Sequence, residues 1–468
     1  MSRESSIAAA AAYFDDGRYI EDLRRRVAIP SESQNPERAE MLAVYLSGNL
    51  QAAFERLGYV CTIFENPVSG GGPLLLAERF EDAGLPTVLS YGHGDVVRGQ
   101  EQAWSDGRSP WKLQVDGERI YGRGTADNKG QHTVNIAALA AVLETRGALG
   151  FNSKYLMEMG EEVGSTGLAE FVSAHAHELR ADVLLASDGP RVDPATPTLF
   201  LGARGALNFD LICALRAGAH HSGNWGGLLA NPAIVLAHAI ASCVNAQGQI
   251  ILGDWLPPEI PSSVRDAVAS LMPAGGTDAP SVDPNWGEPG LSSAEKVYCW
   301  NTFEVLAMEA GQPAKPVNAI PGVAKAHCQI RFTVGRDPDD FLPALRSHLD
   351  AQGFENVEIV RSEQGFFRAT RLDPDNPWVE FVRASVARTT NKAPAVLPSI
   401  GGSLPNALFA QDLHLPTVWV PHSYAGCSQH APDEHVLAHV QREALQLMAG
   451  LFWDIGDKPP VTPRANLD

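Results

Sequence analysis

The sequence lacks three things: paired cysteines at knuckle spacing, an excess of positive charge, and any long apolar run. Its six cysteines, at 61, 213, 243, 299, 328 and 427, are scattered over 468 residues, several inside apolar stretches such as "LICAL" and "AHCQIRF". Scattered, with no CxxC pair, and set in apolar runs, they read as reduced, buried thiols of an intracellular protein rather than a disulfide framework. Net charge is −19. Nucleic acid and anionic lipid both call for a basic surface, so neither is an expected partner. No stretch reaches about 18 uninterrupted apolar residues, so no membrane span is expected. The opening "MSRESSIAAAAAYFDDGRY" has an alanine run with charge on both sides and reads as a helix start, not a signal peptide. A cytoplasmic location is the expectation.

What the chain does have is length and turns. At 468 residues with 43 Gly and 33 Pro it is too long for one core, and two or three domains are predicted. Residues 6 to 60 show helical apolar spacing. Short β-type runs follow ("CTIFE", "GPLLLAERF", "TVLSYGHGD"), then an apolar helix over 131–146 and the strands "SKYLMEMGEE" and "DVLLASDG". Alternating strands and helices predict an α/β sheet with its site at the strand ends. After residue 202 the pattern becomes strand, helix, strand, strand, helix, which predicts a smaller α+β unit over 203–371 inserted into a domain formed by 1–202 and 372–468. The Pro/Gly-rich stretch 254–292 reads either as a mobile excursion or as a long loop. A terminal helix is predicted from 434.

Candidate ligands gather where apolar runs stop. In "LSYGHGDVVRG" His93 and Asp95 are two residues apart at the end of a strand, so both project to one face. Such a pair is either a loop histidine beside a solvated acid or a metal ligand with a carboxylate that orients it. Asp127 lies in "IYGRGTADNKGQH", whose glycines lack the GxxxxGK[ST] spacing of a phosphate cradle. Glu161 and Glu162 follow in "MEMGEEVGSTG", Asp188 in "LLASDGPR" and His430 in "CSQHAPDEH", before a proline-turned helix start. Each is read as ending a strand of one sheet. Two histidines and three carboxylates make a mixed nitrogen and oxygen set suited to two Zn²⁺ or similar ions with one carboxylate bridging. Of two adjacent glutamates, one can bind metal while the other stays free as a general base.

Taken in order, "GHGDVV", "GRGTADNKG", "GEEVGSTG", "SDG" and "HAPDEH" resemble the motifs of the co-catalytic zinc metallopeptidase family 20. That family includes aminoacylases, glutamate carboxypeptidases, succinyl-diaminopimelate desuccinylases and carnosinase-type dipeptidases. The resemblance implies a zinc-exopeptidase-like α/β catalytic domain with an inserted α+β lid that also dimerises. It implies His93 and Asp188 on one zinc, Glu162 and His430 on the other, Asp127 bridging in a loop that often holds a cis peptide, Asp95 behind His93, and Glu161 as general base. Mn²⁺ or Co²⁺ would suit the same donors. "AHHSGNWGGLLANP" is similar to the family's carnosinase-type stretch and places His221 on its transition-state residue, often supplied by the partner subunit. "AH" stands there where the family has "DL", so His220 competes for the role, and a plain helix-start histidine is the other reading. Asn318 and Arg331 fall at the family's carboxylate-gripping spacing, with a strand-surface Arg as the alternative, and Gly402 and Ser403 fall in its Gly-Gly-Ser substrate loop. His132, His422 and His435 match no motif and are read as structural. The implied activity is hydrolysis of an amide or peptide bond in a small carboxylate-bearing substrate: a dipeptide, or alternatively an N-acyl or N-carbamoyl amino acid. A non-catalytic homologue would have lost a ligand or the base, and none is lost.

Overall fold

The computed structural model describes residues 2–273, 281–362 and 366–460. A mixed eight-stranded sheet runs in the order Val60–Phe64, Leu74–Arg79, Asn152–Glu158, Thr87–His93, Val183–Ala186, Thr417–Trp419, Thr198–Phe200, Ala395–Leu397. Its centre is parallel: Thr87–His93 pairs in parallel with both Asn152–Glu158 and Val183–Ala186, which pairs in parallel with Thr417–Trp419. These strands read as continuous apolar runs because both faces are covered. Val88, Leu75 and Leu185 enter one apolar layer while their neighbours Leu89, Leu74, Leu76 and Leu184 enter the other, as a period of two demands. The helices Lys129–Arg146, Pro377–Thr390 and Ala438–Asp457 close the first face, and Leu168 and Phe171 of the helix Leu168–Ala174 line the second.

The second sheet has four antiparallel strands, in the order Thr302–Ala310, Val323–Phe332, Gly205–Ala214, Val357–Arg361. One of its faces buries Leu207, Phe209, Ala326 and Cys328 against the helices Pro232–Cys243 and Phe341–Ala351. The predicted element order is present, with one strand added at 357–361. All six cysteines are free, five buried and Cys61 half-buried.

Two expectations change. The terminal helix starts at Ala438, not 434, because His435–Leu437 is a strand pairing antiparallel with Arg119–Tyr121. In the stretch 254–292, of which 274–280 lies outside the described residues, Trp255 is buried in the second core and the helix Ser262–Val268 is folded against the first. Val264 and Val268, with Ala294 and Tyr298 of the following helix Ser293–Tyr298, join Phe200 and Leu397 in the second apolar layer of the large sheet. Pro and Gly masked these short helices in the sequence. The Ser292–Glu295 capping box that starts the second one is a local signal that was available.

Candidate metal centre

Three adjacent parallel strands deliver the first donors at their carboxyl ends, where open α/β sheets place their sites. His93 ends the strand Thr87–His93, Glu161 and Glu162 form a turn just after Asn152–Glu158, and Asp188 follows Val183–Ala186. Asp127 and His430 arrive differently. Asp127 sits in the loop between the small strand Arg119–Tyr121 and the helix Lys129–Arg146, and the peptide bond to Asn128 is cis. His430 has a positive φ of 60° in the loop after Ser423–Tyr424 and is followed by a strand. Neither ends a strand of the large sheet, so the expectation that all five donor positions do is corrected.

The geometry joins them around Asp127. His93 Nε2 lies 2.9 Å from Asp127 Oδ1 and 3.6 Å from Asp188 Oδ2, and His430 Nε2 lies 3.0 Å from Asp127 Oδ2 and 3.1 Å from Glu162 Oε2. Donor atoms of His93, Asp127 and Asp188, and separately of Asp127, Glu162 and His430, fall within 4.8 Å of one another. One carboxylate thus turns an oxygen to each of two donor groups. Asp95, fully buried, lies behind: its Oδ1 is 3.4 Å from His93 Nδ1, and its two oxygens accept the backbone N–H groups of Glu161 and Glu162 at 3.2 and 3.1 Å. It orients the histidine and pins the glutamate turn together. Among the described residues no hydrogen bond holds the Glu161 carboxylate, whereas Glu162 meets His430.

Crowding shows in the charges. Burial lifts Glu162 to about 7 and Asp188 to about 6, with Asp127 adding to both, and burial with Asp188, Glu162 and Asp127 as neighbours holds Glu161 well above the usual carboxylate range. Hydrogen bonds to Asp127 and Glu162 lift His430 to about 10. Burial opposes charge on His93, but Asp127 and Asp95 outweigh it and raise the imidazole well above its ordinary value. The crowding of carboxylates that raises these groups is what divalent cations bound among the same donors would relieve. The residues fit such ions. One end is closed, with His93 fully buried, and the other is open, with the His430 side chain 53% exposed.

Several supports were not found in the sequence. Glu434 is 1% exposed and accepts the backbone N–H groups of Gly124, Ala126 and Asp127 at 3.0, 2.9 and 3.2 Å, with Arg123 Nη1 at 2.7 Å. It clamps the Asp127 loop, and the only signal was its place in "HAPDEH". Gln429 donates to Asp127, and Asn128 Nδ2 donates to the Ser187 carbonyl at 2.8 Å. His132, His422 and His435 lie in polar contacts with Tyr45, Ser187 and Tyr424 respectively.

The residues expected on the substrate side fall in two separate places, at opposite ends of the strand Val323–Phe332. His221 and Asn318 adjoin on the ladder that pairs His220–His221 with Ala319–Ile320, and the Asn318 carbonyl accepts Ser222 N–H at 2.9 Å. His221 is exposed and caps the short helix Ser222–Trp225, its Nδ1 accepting Gly223 N–H at 3.1 Å, while the His220 ring lies edge-on to Trp225. Arg331 donates to Ser403 Oγ at 2.8 Å, and Gly402 is exposed beside it. Among the described residues no hydrogen bond or ion pair joins either place to the metal centre.

Residues 89–454 match the model of Peptidase family M20/M25/M40. The chain belongs to this family. It is 25% identical over 468 residues to the Beta-Ala-His dipeptidase of Rattus norvegicus, covering 93% of this chain and 92% of the relative. It is 28% identical over 456 residues to the Cys-Gly metallodipeptidase DUG1 of Candida albicans, covering 89% and 90%. Its fold is that of the M20 family metallo-carboxypeptidase Sso-CP2 from Sulfolobus solfataricus, with a TM-score of 0.77 at 24% identity over 94% of this chain and 99% of that one. A metal-dependent peptidase-type hydrolase is the class that family and site share. No helix among the described residues is long and apolar enough to cross a membrane.

Proposed function

We propose that this M20 member is a dipeptidase that hydrolyses the amide bond of small substrates bearing a free carboxylate, with two Zn²⁺ as its ions. The observation that carries the reading is Asp127, whose two oxygens lie 2.9 and 3.0 Å from two different histidines, with the unengaged Glu161 alongside. His93 and Asp188 would hold one ion, Glu162 and His430 the other, and Asp127 both. Bound there, the cations would polarise the scissile carbonyl and acidify a water molecule.

The rest falls to the chain itself. Glu161, unheld by any described hydrogen bond and with its pKa raised, takes the water proton and passes it to the leaving amine. Asp95 fixes the height of the Glu161 backbone and the tilt of His93. Arg331 grips the substrate carboxylate beside the turn of Gly402 and Ser403, and Asn318, which adjoins His221, joins it from the same place as that histidine. His221, its Nδ1 turned to its own backbone, offers Nε2 to the oxyanion. It does so in a site completed by the partner subunit of a cytoplasmic homodimer joined through the second sheet's unit.

The test is a substrate panel on zinc-loaded protein with a chelator control, pairing dipeptides with N-acetyl, N-carbamoyl and N-aroyl amino acids. Chelator-sensitive cleavage of dipeptides is the expected result. Preference for the acylated amino acids would move the protein to the amidohydrolase branch.

A further inference from the structure

Arg204 stands one residue before the strand Gly205–Ala214, where the chain passes from the large sheet to the small one, and it is only 9% exposed. Its Nε and Nη2 both donate to the Gly401 carbonyl, at 3.2 and 3.1 Å. Its own carbonyl accepts the Ser403 hydroxyl at 2.8 Å, and the same Ser403 oxygen accepts Arg331 Nη1 at 2.8 Å. Arg331 Nε is taken by Gln329 at 2.8 Å. The second guanidinium is therefore aimed from two sides, with Nη2 left as the end that no described residue binds. The Gly401–Ser403 turn is in effect fastened to Arg204 at both its ends.

Charge points the same way. Among the described residues neither Arg204 nor Arg331 has a carboxylate in ion-pair reach, although the chain carries a net charge of −19. Burial, and then the neighbouring charge of Arg331, pulls Arg204 down to about 10, and burial lowers Arg331 as well. Two partly desolvated guanidiniums side by side are costly unless an anion joins them.

We propose that Arg204 is a positioning residue for substrate binding: it clamps the Gly401–Ser403 turn, through Ser403 it aims Arg331, and its charge makes this corner select ligands that end in a free carboxylate. The inference rests on the proposed reading of a small carboxylate-bearing substrate. It goes beyond that reading by assigning the selectivity to a residue that need not touch the ligand.

The experiment measures binding, not turnover. Zinc-loaded Glu161→Gln protein is titrated by calorimetry with glycyl-leucine and with glycyl-leucine amide, and the ratio of the two dissociation constants is the readout. Adding Arg204→Met is expected to reduce the preference for the free acid roughly ten-fold, the scale of a charged hydrogen bond. Arg204→Lys, which keeps the charge and one donor, recovers part of it. In an Arg331→Met background the further change Arg204→Met moves the ratio by less than about two-fold, because the two act as a unit. Ser403→Ala, which cuts the link while keeping both charges, lowers the preference by less than Arg204→Met does. Equal weakening of acid and amide overturns the proposal, as do full additivity with Arg331→Met, no effect of Ser403→Ala, or no acid preference to begin with. If Arg204→Met does not fold, Arg204→Lys and Ser403→Ala decide by the same ratio. If the acid preference holds but the protein without substitutions cleaves no dipeptide, the functional reading fails and this one stands.

Discussion

The metal centre and the His221–Asn318 ladder are held in opposite ways. At the centre every donor leans on another: Asp127 on two histidines, His93 on Asp95, and the Asp127 loop on Glu434. His221 is exposed, and among the described residues its ring is hydrogen-bonded only to the backbone two residues on. The first region is held together by its own contacts, while among the described residues no hydrogen bond or ion pair ties the second to it. On the proposed reading, the chemistry is built on the large sheet, and the smaller unit contributes His221, Asn318 and Arg331 to recognition. If this contrast is right, damage to the first region should abolish function at any substrate concentration. Damage to the second should be graded and should respond to what else is in solution.

The largest effect belongs to Glu161→Gln. Turnover should fall by about 10³-fold or more while zinc content and melting temperature stay near those of the unsubstituted protein. Near-normal activity would move the proton transfer to another group and remove the difference between the two glutamates. Next comes His221→Ala, with a loss of about 10²-fold falling mainly on kcat. Mixing it with Glu161→Gln protein under demonstrated subunit exchange should restore activity, since some mixed dimers then carry one intact site. No recovery would place His221 within its own subunit's site or outside catalysis.

Glu434→Gln tests whether the centre depends on its clamp. It removes a charge from the buried pair with Arg123, so stability should fall by about 3 kcal/mol. Zinc affinity should drop about 10- to 100-fold, read by competition with a chromophoric chelator. Unchanged affinity would mean that the Asp127 loop holds its shape unaided.

The smallest effect is on acid stability. Burial keeps His422 well below the ordinary imidazole pKa, so the folded protein binds the neutral ring. A depressed folded pKa gives stability that is full above the unfolded value of about 6.5 and is lost as pH falls below it. The melting temperature should therefore decline less steeply between pH 7 and pH 5 in His422→Gln than in the protein without it. An identical slope would show that His422 does not contribute to acid sensitivity.

Much of the centre was legible in the sequence for a physical reason. His93, Glu162 and Asp188 end strands buried on both faces, and such strands are continuous apolar runs that stop abruptly. Asp127 and His430 were found as ligand candidates but misplaced in the architecture. Their loops are shaped by contacts across 307 residues, as between Glu434 and the Asp127 amide, and no local pattern records these. The same holds for Arg204. In "LGARGAL" it reads as an ordinary turn residue, and only the fold brings Gly401 and Ser403 to it. The short helices after 254 were hidden by composition, since Pro and Gly speak for loops more loudly than six or seven residues speak for a helix.

The clamp made by Glu434 also sets an order of events during synthesis. Ribosomes deliver the chain from its N-terminus, so His93, Asp127, Glu162 and Asp188 emerge hundreds of residues before His430 and Glu434. Until those two appear, the candidate donor group of Asp127 and Glu162 lacks its histidine, and the Asp127 loop lacks the Glu434 anchor. On the proposed ligand set, metal loading therefore has to wait until residues 430–434 have emerged.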